Sequence, residues 1–446
     1  MKIVIVGCTH AGVAAAVQIL TAQPHTDVTI YERENSLSFL SSGIPFWITG
    51  EAAANRLFYT NPDQLIQLGA HLKLNHNVTK IDHRTKQLWV VDRQTGEQVV
   101  TKYDRLIFAT GSWPRVPQVS GLDNPHIYLC KTYLQAQRLT KDLGQLSRVA
   151  VIGGNYVGCE IAVALRKAGK QVVLVDHHRH LLSMMVDHQY ATMVARLLSY
   201  HDIQLFLGNP LQSFTETGPE KIVVKTNKEQ ATVDAVVICA GVRANSNLLQ
   251  GQVRCQSDGA IVTNEYLQTS DPAIYAAGDV ITSQFNPLQK AYHIPLLTNA
   301  MRQGTIVGVN VFGNTMKYMG TQATTGLHLF DENIAATGIT FHQARRLKLD
   351  VDTVTITDNY RPEFMPSTTP IMMTLVWDKR TKRILGGQMM SRHAIDQSIN
   401  LLSVCLQNRN TIDFLAFVDM LYQPAFDRPF NYLNLLGQAA MAKAAK

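Results

Sequence analysis

Two stretches near the start of the chain hold residues whose types and spacing could do chemistry. His10 lies in Gly7-Cys8-Thr9-His10-Ala11-Gly12, directly after a short β-branched run from Lys2 to Val6. Ser42 lies in Phe39-Leu40-Ser41-Ser42-Gly43-Ile44-Pro45. Pro45 suits the first turn of a helix, and Gly43 frees the backbone just before it. Ser42 then sits near a helix N-terminus, where backbone N–H groups and the dipole favour an anion. A cysteine there would be stabilised as its thiolate, whereas the Ser42 hydroxyl keeps its proton near neutral pH. The pattern has the layout of a redox-cysteine centre without its sulfur.

The elements that position these residues repeat. Lys2 to Val6 reads as a buried parallel strand, the glycine turn follows, then an alanine-rich helix to about Leu20, then a strand Val28 to Tyr31 ending in Glu32. Glycines let backbone approach a pyrophosphate, the helix N-terminus meets its charge, and the acid accepts from a ribose hydroxyl. Thr9 replaces the middle glycine, so an ordinary tight βα turn stays open for this unit alone. A second unit runs from the strand Arg148 to Ile152 through Gly153-Gly154-Asn155-Tyr156-Val157-Gly158 to a strand ending in Asp176. Asn155 holds the middle position here as a side chain that tolerates a left-handed backbone. Two such units imply two dinucleotide sites, one for a flavin and one for a nicotinamide. Asp176 predicts NADH, because a carboxylate bonds the ribose 2′-hydroxyl and repels a 2′-phosphate. His177, His178, Arg179 and His180 stand just beyond and could soften that preference.

Leu106 to Ser112 reads as an apolar strand returning to the first sheet, and Val236 to Gly241 closes the second unit. Ile274 to Val280 delivers Asp279 after a glycine, placed for a flavin ribityl hydroxyl, and a helix from about Leu297 to Val311 would aim its N-terminus at the flavin ring. At 446 residues the chain is too long for one core. The boundaries read as 1–114 with 243–322, 115–242, and a separate α+β domain over 323–446, its Lys/Ala tail from Ala439 to Lys446 fraying. The formal charge of +7 comes from scattered Lys and Arg rather than a basic run, which argues against nucleic acid and suits anionic dinucleotides. The six cysteines show no CxxC spacing, which argues against zinc, other metal or a disulfide framework and for reduced thiols in the cytoplasm. Gly7, Thr9 and His10 break the N-terminal apolar run, so it is not read as a signal peptide, and no stretch is apolar enough to span a bilayer.

The motifs GCTHAG (7–12), SFLSSGIP (38–45), ATG (109–111), GGNYVG (153–158), AGVRAN (240–245) and YAAGD (275–279) together make the chain resemble the pyridine nucleotide–disulfide oxidoreductases over essentially its full length. The branch is that of NADH oxidases, NADH peroxidases and coenzyme A disulfide reductases. Late segments 358–364 and 422–434 resemble the interface domain of the oxidase and peroxidase members. The resemblance implies an α/β fold of two Rossmann-like domains plus a C-terminal α+β dimerisation domain. It implies FAD on Gly7, Thr9, Gly12, Glu32, Lys131 and Asp279, and NADH on Gly153, Tyr156, Gly158, Glu160, Asp176 and Gly241. Tyr156 would gate the flavin face and Glu160 lie near the nicotinamide. Further cofactor contacts are expected from His10, Ala11, Arg33, Ser42, Val78, Ala109, Thr110, Gly111, Asn155, Val157, Gly278, Leu297 and Thr298. His10 matches the family's active-site histidine, which the resemblance implies is an acid–base group beside the redox cysteine, its imidazole near its ordinary pKa and able to protonate reduced oxygen; the alternative is a structural loop histidine. Ser42 occupies the place of the family's redox cysteine, as an introduced or a natural replacement, and serine cannot be oxidised in that way. None of the six cysteines matches the lost position; Cys8 is nearest and reads as packing.

The resemblance therefore implies an FAD-dependent NADH oxidase with O₂ as acceptor, forming water when position 42 is cysteine and hydrogen peroxide with Ser42. Alternatives are an NADH peroxidase scaffold, then a coenzyme A disulfide reductase, which would call for a basic pocket. A flavin-based redox sensor without useful turnover belongs to another class. The third domain implies a homodimer, with Phe426 and the 422–431 loop reaching the partner. Phe414, Leu415, Phe417 and Leu421 read as interface or core.

Overall fold

A computed structural model describes residues 1–218 and 221–446. Its first sheet is five-stranded and parallel, in the order 274–276, 105–108, 2–6, 27–31, 71–73. The central strand, Lys2–Val6, pairs Val4 with Thr29 on one side and Leu106 on the other. Ile3, Val4 and Ile5 are fully buried, as a parallel strand covered on both faces requires. The second sheet repeats the plan: 203–207, 171–176, 148–152, 235–238, 127–129, again all parallel. A short antiparallel pair, Ser112–Pro114 with Val242–Ala244, carries the chain between the two sheets and back. Smaller antiparallel sheets, 76–82 with 87–92 and 98–102, and 211–216 with 222–226 and 230–233, accompany the first and second sheets.

From Thr325 the architecture changes to a five-stranded antiparallel sheet, ordered 325–329, 332–338, 384–391, 370–378, 351–359. The helices Asp396–Gln407 and Tyr432–Ala444 pack on it. The C-terminal tail does not fray. Leu433, Leu436 and Ala440 are buried, and the Lys443 ammonium donates to the Thr353 carbonyl (2.6 Å) and pairs with Asp352 (2.9 Å), so the helix runs on through Ala444. Among the described residues no helix is long and apolar enough to cross a membrane. Leu415 is core, whereas Phe414, Phe417, Leu421, Tyr422, Phe426 and Phe430 are exposed.

Candidate active site between two nucleotide turns

Gly7 adopts a left-handed φ of +92°, and a Cβ there would run into the Ala109 carbonyl. A Cβ on Gly12 would run into the Gly7 carbonyl. The first turn is thus closed by backbone lying on backbone, which only glycine permits. Ala109 is tied to the same sheet edge by its N–H to the Val6 carbonyl (2.8 Å), and Ala11 is buried under the turn. Glu32 accepts from the N–H of Cys8 (2.7 Å) and of Glu34 (3.0 Å), fixing its carboxylate beside the turn with lone pairs left over; burial pushes its pKa up. Arg33 stacks its guanidinium over Trp113 at 4.6 Å. The Val78 side chain is buried in the core, which leaves its backbone for contacts. Thr110 donates to the Asn245 carbonyl (2.7 Å), and Gly111 turns left-handed at φ +68°.

Asp279 is the polar centre of this half. Its Oδ2 accepts from Ser112 Oγ (2.7 Å) and Lys131 Nζ (3.3 Å), and its carbonyl faces His293 Nε2 (2.7 Å). Burial alone would raise its pKa, but Lys131 and Ser112 outweigh it and hold the carboxylate below its ordinary value. The Leu297–Asn310 helix lies against the Ala11–Ala22 helix, with Gly304 touching the Ala11 backbone so closely that a Cβ would clash. The fully buried Gln303 accepts from Gly278 N–H and donates to Ser283, both at 2.8 Å. This ties the second turn of the helix to Gly278, the residue before Asp279, and Leu297 and Thr298 form its first turn. Leu296, which caps that helix, makes no side-chain cap, so the first-turn N–H groups remain to be satisfied.

The second turn follows the same logic as the first. A Cβ on Gly153 (φ +118°) would strike the Cys239 carbonyl and one on Gly158 the Gly153 carbonyl. Asn155 departs from expectation: it is extended (φ −81°, ψ −178°), not left-handed, and caps the Tyr156–Lys167 helix by accepting from Gly158 N–H at 3.1 Å. Its amide donates to the Cys239 carbonyl. Asparagine is used here as a helix cap. Asp176, nearly buried, accepts from the Gly154 N–H through Oδ2 and from the His178 N–H (2.6 Å) through Oδ1, with the His178 and His177 Nδ1 atoms at 2.9 and 3.5 Å. Asn209, beside it, donates to Glu229 while its Oδ1 is buried without a partner among the described residues. Val157 and Glu160 follow Tyr156 in the capped helix; burial pushes Glu160 up to about 7. Gly241 (φ +90°) lies at the end of the closing strand.

A cavity of about 920 Å³ opens beside the second turn. Its lining runs from Gly153, Tyr156 and Asp176 through Gly241 to His293 and Leu296 at the start of the 297–310 helix. The two glycine cradles, each too tight for a Cβ, and the two carboxylates beside them fit two dinucleotides, and the cavity reaches from the second cradle to His293, which bonds the Asp279 carbonyl of the first half.

Ser42 lies in a 3₁₀ turn, Ser41–Gly43, that leads into the six-residue helix Ile44–Thr49. It is exposed and makes no hydrogen bond to another described residue. Gly43 is helical (φ −84°), so backbone freedom is not what it supplies; a Cβ would strike Leu57, and space is the reason for glycine. The stretch is anchored by Ser38, buried at φ +61°, whose hydroxyl donates to the Thr60 carbonyl (2.7 Å) and accepts from the Thr60 N–H (3.2 Å). Trp47 stacks on Tyr133 at 5.6 Å, and the helix rests on the 156–167 helix. His10 sits at the N-cap of the Ala11–Ala22 helix. It is not poised near its ordinary pKa: burial pushes it down to about 4, with Lys131 helping and Asp279 opposing. Its Nδ1 lies 3.2 Å from the Tyr59 hydroxyl, and the two rings stack. Tyr59, Ser112 and His293 were not legible from spacing, because each reaches the site from a distant segment. All six cysteines are free; burial pushes Cys8 well up, the opposite of a reactive thiolate.

Two Rossmann-like sheets, each with its glycine turn, and a third antiparallel domain define an oxidoreductase that works with two dinucleotides. The chain belongs to the pyridine nucleotide-disulphide oxidoreductase family, whose members use FAD: the family matches residues 1–304, and its dimerisation domain matches 324–432. It is 44% identical to an NADH oxidase of Enterococcus faecalis over 99% of both chains. It is 31% identical to an NADH oxidase of Lactococcus lactis, over 98% of this chain and 99% of that one. Among solved structures, the water-forming NADH oxidase from Lactobacillus brevis bound to NADH superposes with a TM-score of 0.98 at 45% identity, covering 100% of this chain and 99% of that one.

Proposed function

We propose that this chain is an FAD-dependent NADH oxidase that, with Ser42, turns NADH, a proton and O₂ into NAD⁺ and hydrogen peroxide. The observation that carries the reading is the pair of glycine turns, each closed by backbone on backbone with an acid beside it, and a cavity that runs from Asp176 to His293 and Leu296 at the start of the 297–310 helix. His293 lines that cavity and bonds the Asp279 carbonyl of the first half, and the similarity to NADH oxidases supports the reading. FAD, when bound, supplies the two-electron carrier between nicotinamide and O₂.

The protein's part is holding and protonation. Glu32 and Asp176 would each accept from a ribose, and Asp279, kept ionised by Lys131 and Ser112, would accept from the ribityl chain. The first-turn N–H groups of the 297–310 helix would face negative charge on the ring. Tyr156, exposed at the cavity wall, would cover the nicotinamide side, with Glu160 beneath it. His10, neutral at working pH, would take up a proton and hand it on. Ser42 stores no electrons, so reduction stops at peroxide. The domains we assign are 1–114 with 243–322 for FAD, 115–242 for NADH and 323–446 for dimerisation. The exposed aromatics at 414–430 would meet a second copy, and six free cysteines support a cytoplasmic location.

The test is stoichiometry. One NADH consumed per O₂ with peroxide accumulating supports the reading, and Ser42→Cys should move the ratio towards two NADH per O₂. Two NADH per O₂ with no free peroxide from the unaltered chain would refute it.

A further inference from the structure

The Tyr59 hydroxyl touches three groups: the Thr9 carbonyl at 2.9 Å, His10 Nδ1 at 3.2 Å and the Met301 sulfur at 3.6 Å. The phenol has one proton to give, and burial keeps it on the oxygen by raising the pKa. A carbonyl can only accept, and it is the nearest of the three; a thioether is a weak acceptor. The proton therefore points to Thr9, and a phenol lone pair faces Nδ1. That contact is favourable only if Nδ1 carries hydrogen. His10 is neutral at working pH and so has one ring proton. We infer that Tyr59 fixes the tautomer of His10, holding its proton on Nδ1 and leaving Nε2 bare as the ring's acceptor.

The rest of the local fold keeps this arrangement in place. The rings stack with centroids 5.7 Å apart and 20° between planes. Phe58, the residue before Tyr59, bridges to Phe39, and Thr60, the residue after it, is clamped by Ser38. Free histidine favours the opposite tautomer, so the hydroxyl has work to do here beyond packing. One consequence rests on the oxidase reading. That reaction consumes one solvent proton along with the hydride; Nε2 relays that proton to the reduced oxygen, while the Nδ1 proton stays on the ring, hydrogen-bonded to the Tyr59 oxygen. Tyr59 is thus a positioning residue, acting through His10.

The experiment is long-range proton–nitrogen NMR on protein labelled with nitrogen-15 histidine, with the His10 signal identified by its loss in His10→Gln. The unaltered protein should show His10 protonated at Nδ1. Tyr59→Phe keeps the stacked ring and should move the proton to Nε2. Protonation at Nε2 in the unaltered protein, which needs no variant to observe, overturns the inference, as does an Nδ1 signal that persists in a folded Tyr59→Phe. In steady state the same variant should lose kcat about tenfold, the worth of one neutral hydrogen bond, with KM for NADH held within about twofold. If the tautomer moves but neither protein consumes NADH under air, the oxidase reading fails and the role of Tyr59 stands.

Discussion

Replacing Asp176 with asparagine separates the two jobs of that carboxylate. Both of its oxygens already accept backbone N–H groups, Oδ2 from Gly154 and Oδ1 from His178. Asparagine brings one oxygen and one NH₂, so either Gly154 or His178 must face a donor. A buried donor left unpaired costs about 1–3 kcal/mol, which should appear as a melting temperature lower by a few degrees. The ribose meanwhile loses a charged acceptor and keeps at most a neutral one. That difference is about 1–2 kcal/mol, or roughly 5- to 30-fold in affinity. The charge that would repel a 2′-phosphate disappears with it. Calorimetric titration of NAD⁺ and NADP⁺ into purified holoprotein reads both effects without turnover. NAD⁺ should weaken about tenfold, while NADP⁺ holds or tightens. An NAD⁺ affinity unchanged within about twofold, or NADP⁺ weakening in step with NAD⁺, would refute the assignment of Asp176 to the ribose.

Two further outcomes follow from the geometry. Burial holds Glu160 at about 7 in the folded protein, above the ordinary carboxyl near ~4.3. Its contribution to stability is therefore fully present below about pH 4.3 and is lost as the pH rises through about 7. Glu160→Gln should gain on the parent between about pH 5 and about pH 8, by about 1–2 kcal/mol once its partial exposure is discounted; an equal difference at both pH values in thermal melts would contradict this. Gly12→Ala pushes a Cβ into the Gly7 carbonyl and should give protein with little bound FAD, whereas Gly158→Ala, which strikes Gly153, should keep the yellow colour and lose reduction by NADH. Absorbance ratios of flavin to protein, before and after NADH, distinguish the two, and a Gly158→Ala protein reduced at the parent rate would sink the assignment of the second turn.

What could be read from the residues was what local geometry dictates. A glycine whose Cβ would strike a carbonyl five residues away leaves a mark at fixed spacing, as Gly7 with Gly12 and Gly153 with Gly158 show. An acid after a strand does the same for Glu32 and Asp176. The reason for a residue was less legible than its presence. Asn155 caps a helix rather than turning left-handed, and Gly43 makes room for Leu57 rather than freeing the backbone. Tyr59 had no pattern of its own, because it reaches His10 only through the Phe39–Phe58 bridge and the Ser38–Thr60 clamp. Ser112 and His293 converge on Asp279 from segments far apart in the chain. The pKa of His10 was also beyond the sequence, since burial sets it and burial belongs to the fold.

A flavin served by two nucleotide turns, with no sulfur at position 42, takes up one pair of electrons per FAD. Anaerobic titration of the oxidised holoprotein with NADH, followed by the visible flavin band, counts those electrons directly. One NADH per FAD should complete the bleaching. A requirement for two NADH per FAD, which would reveal a second two-electron acceptor, or a flavin that NADH does not bleach at all, would contradict it.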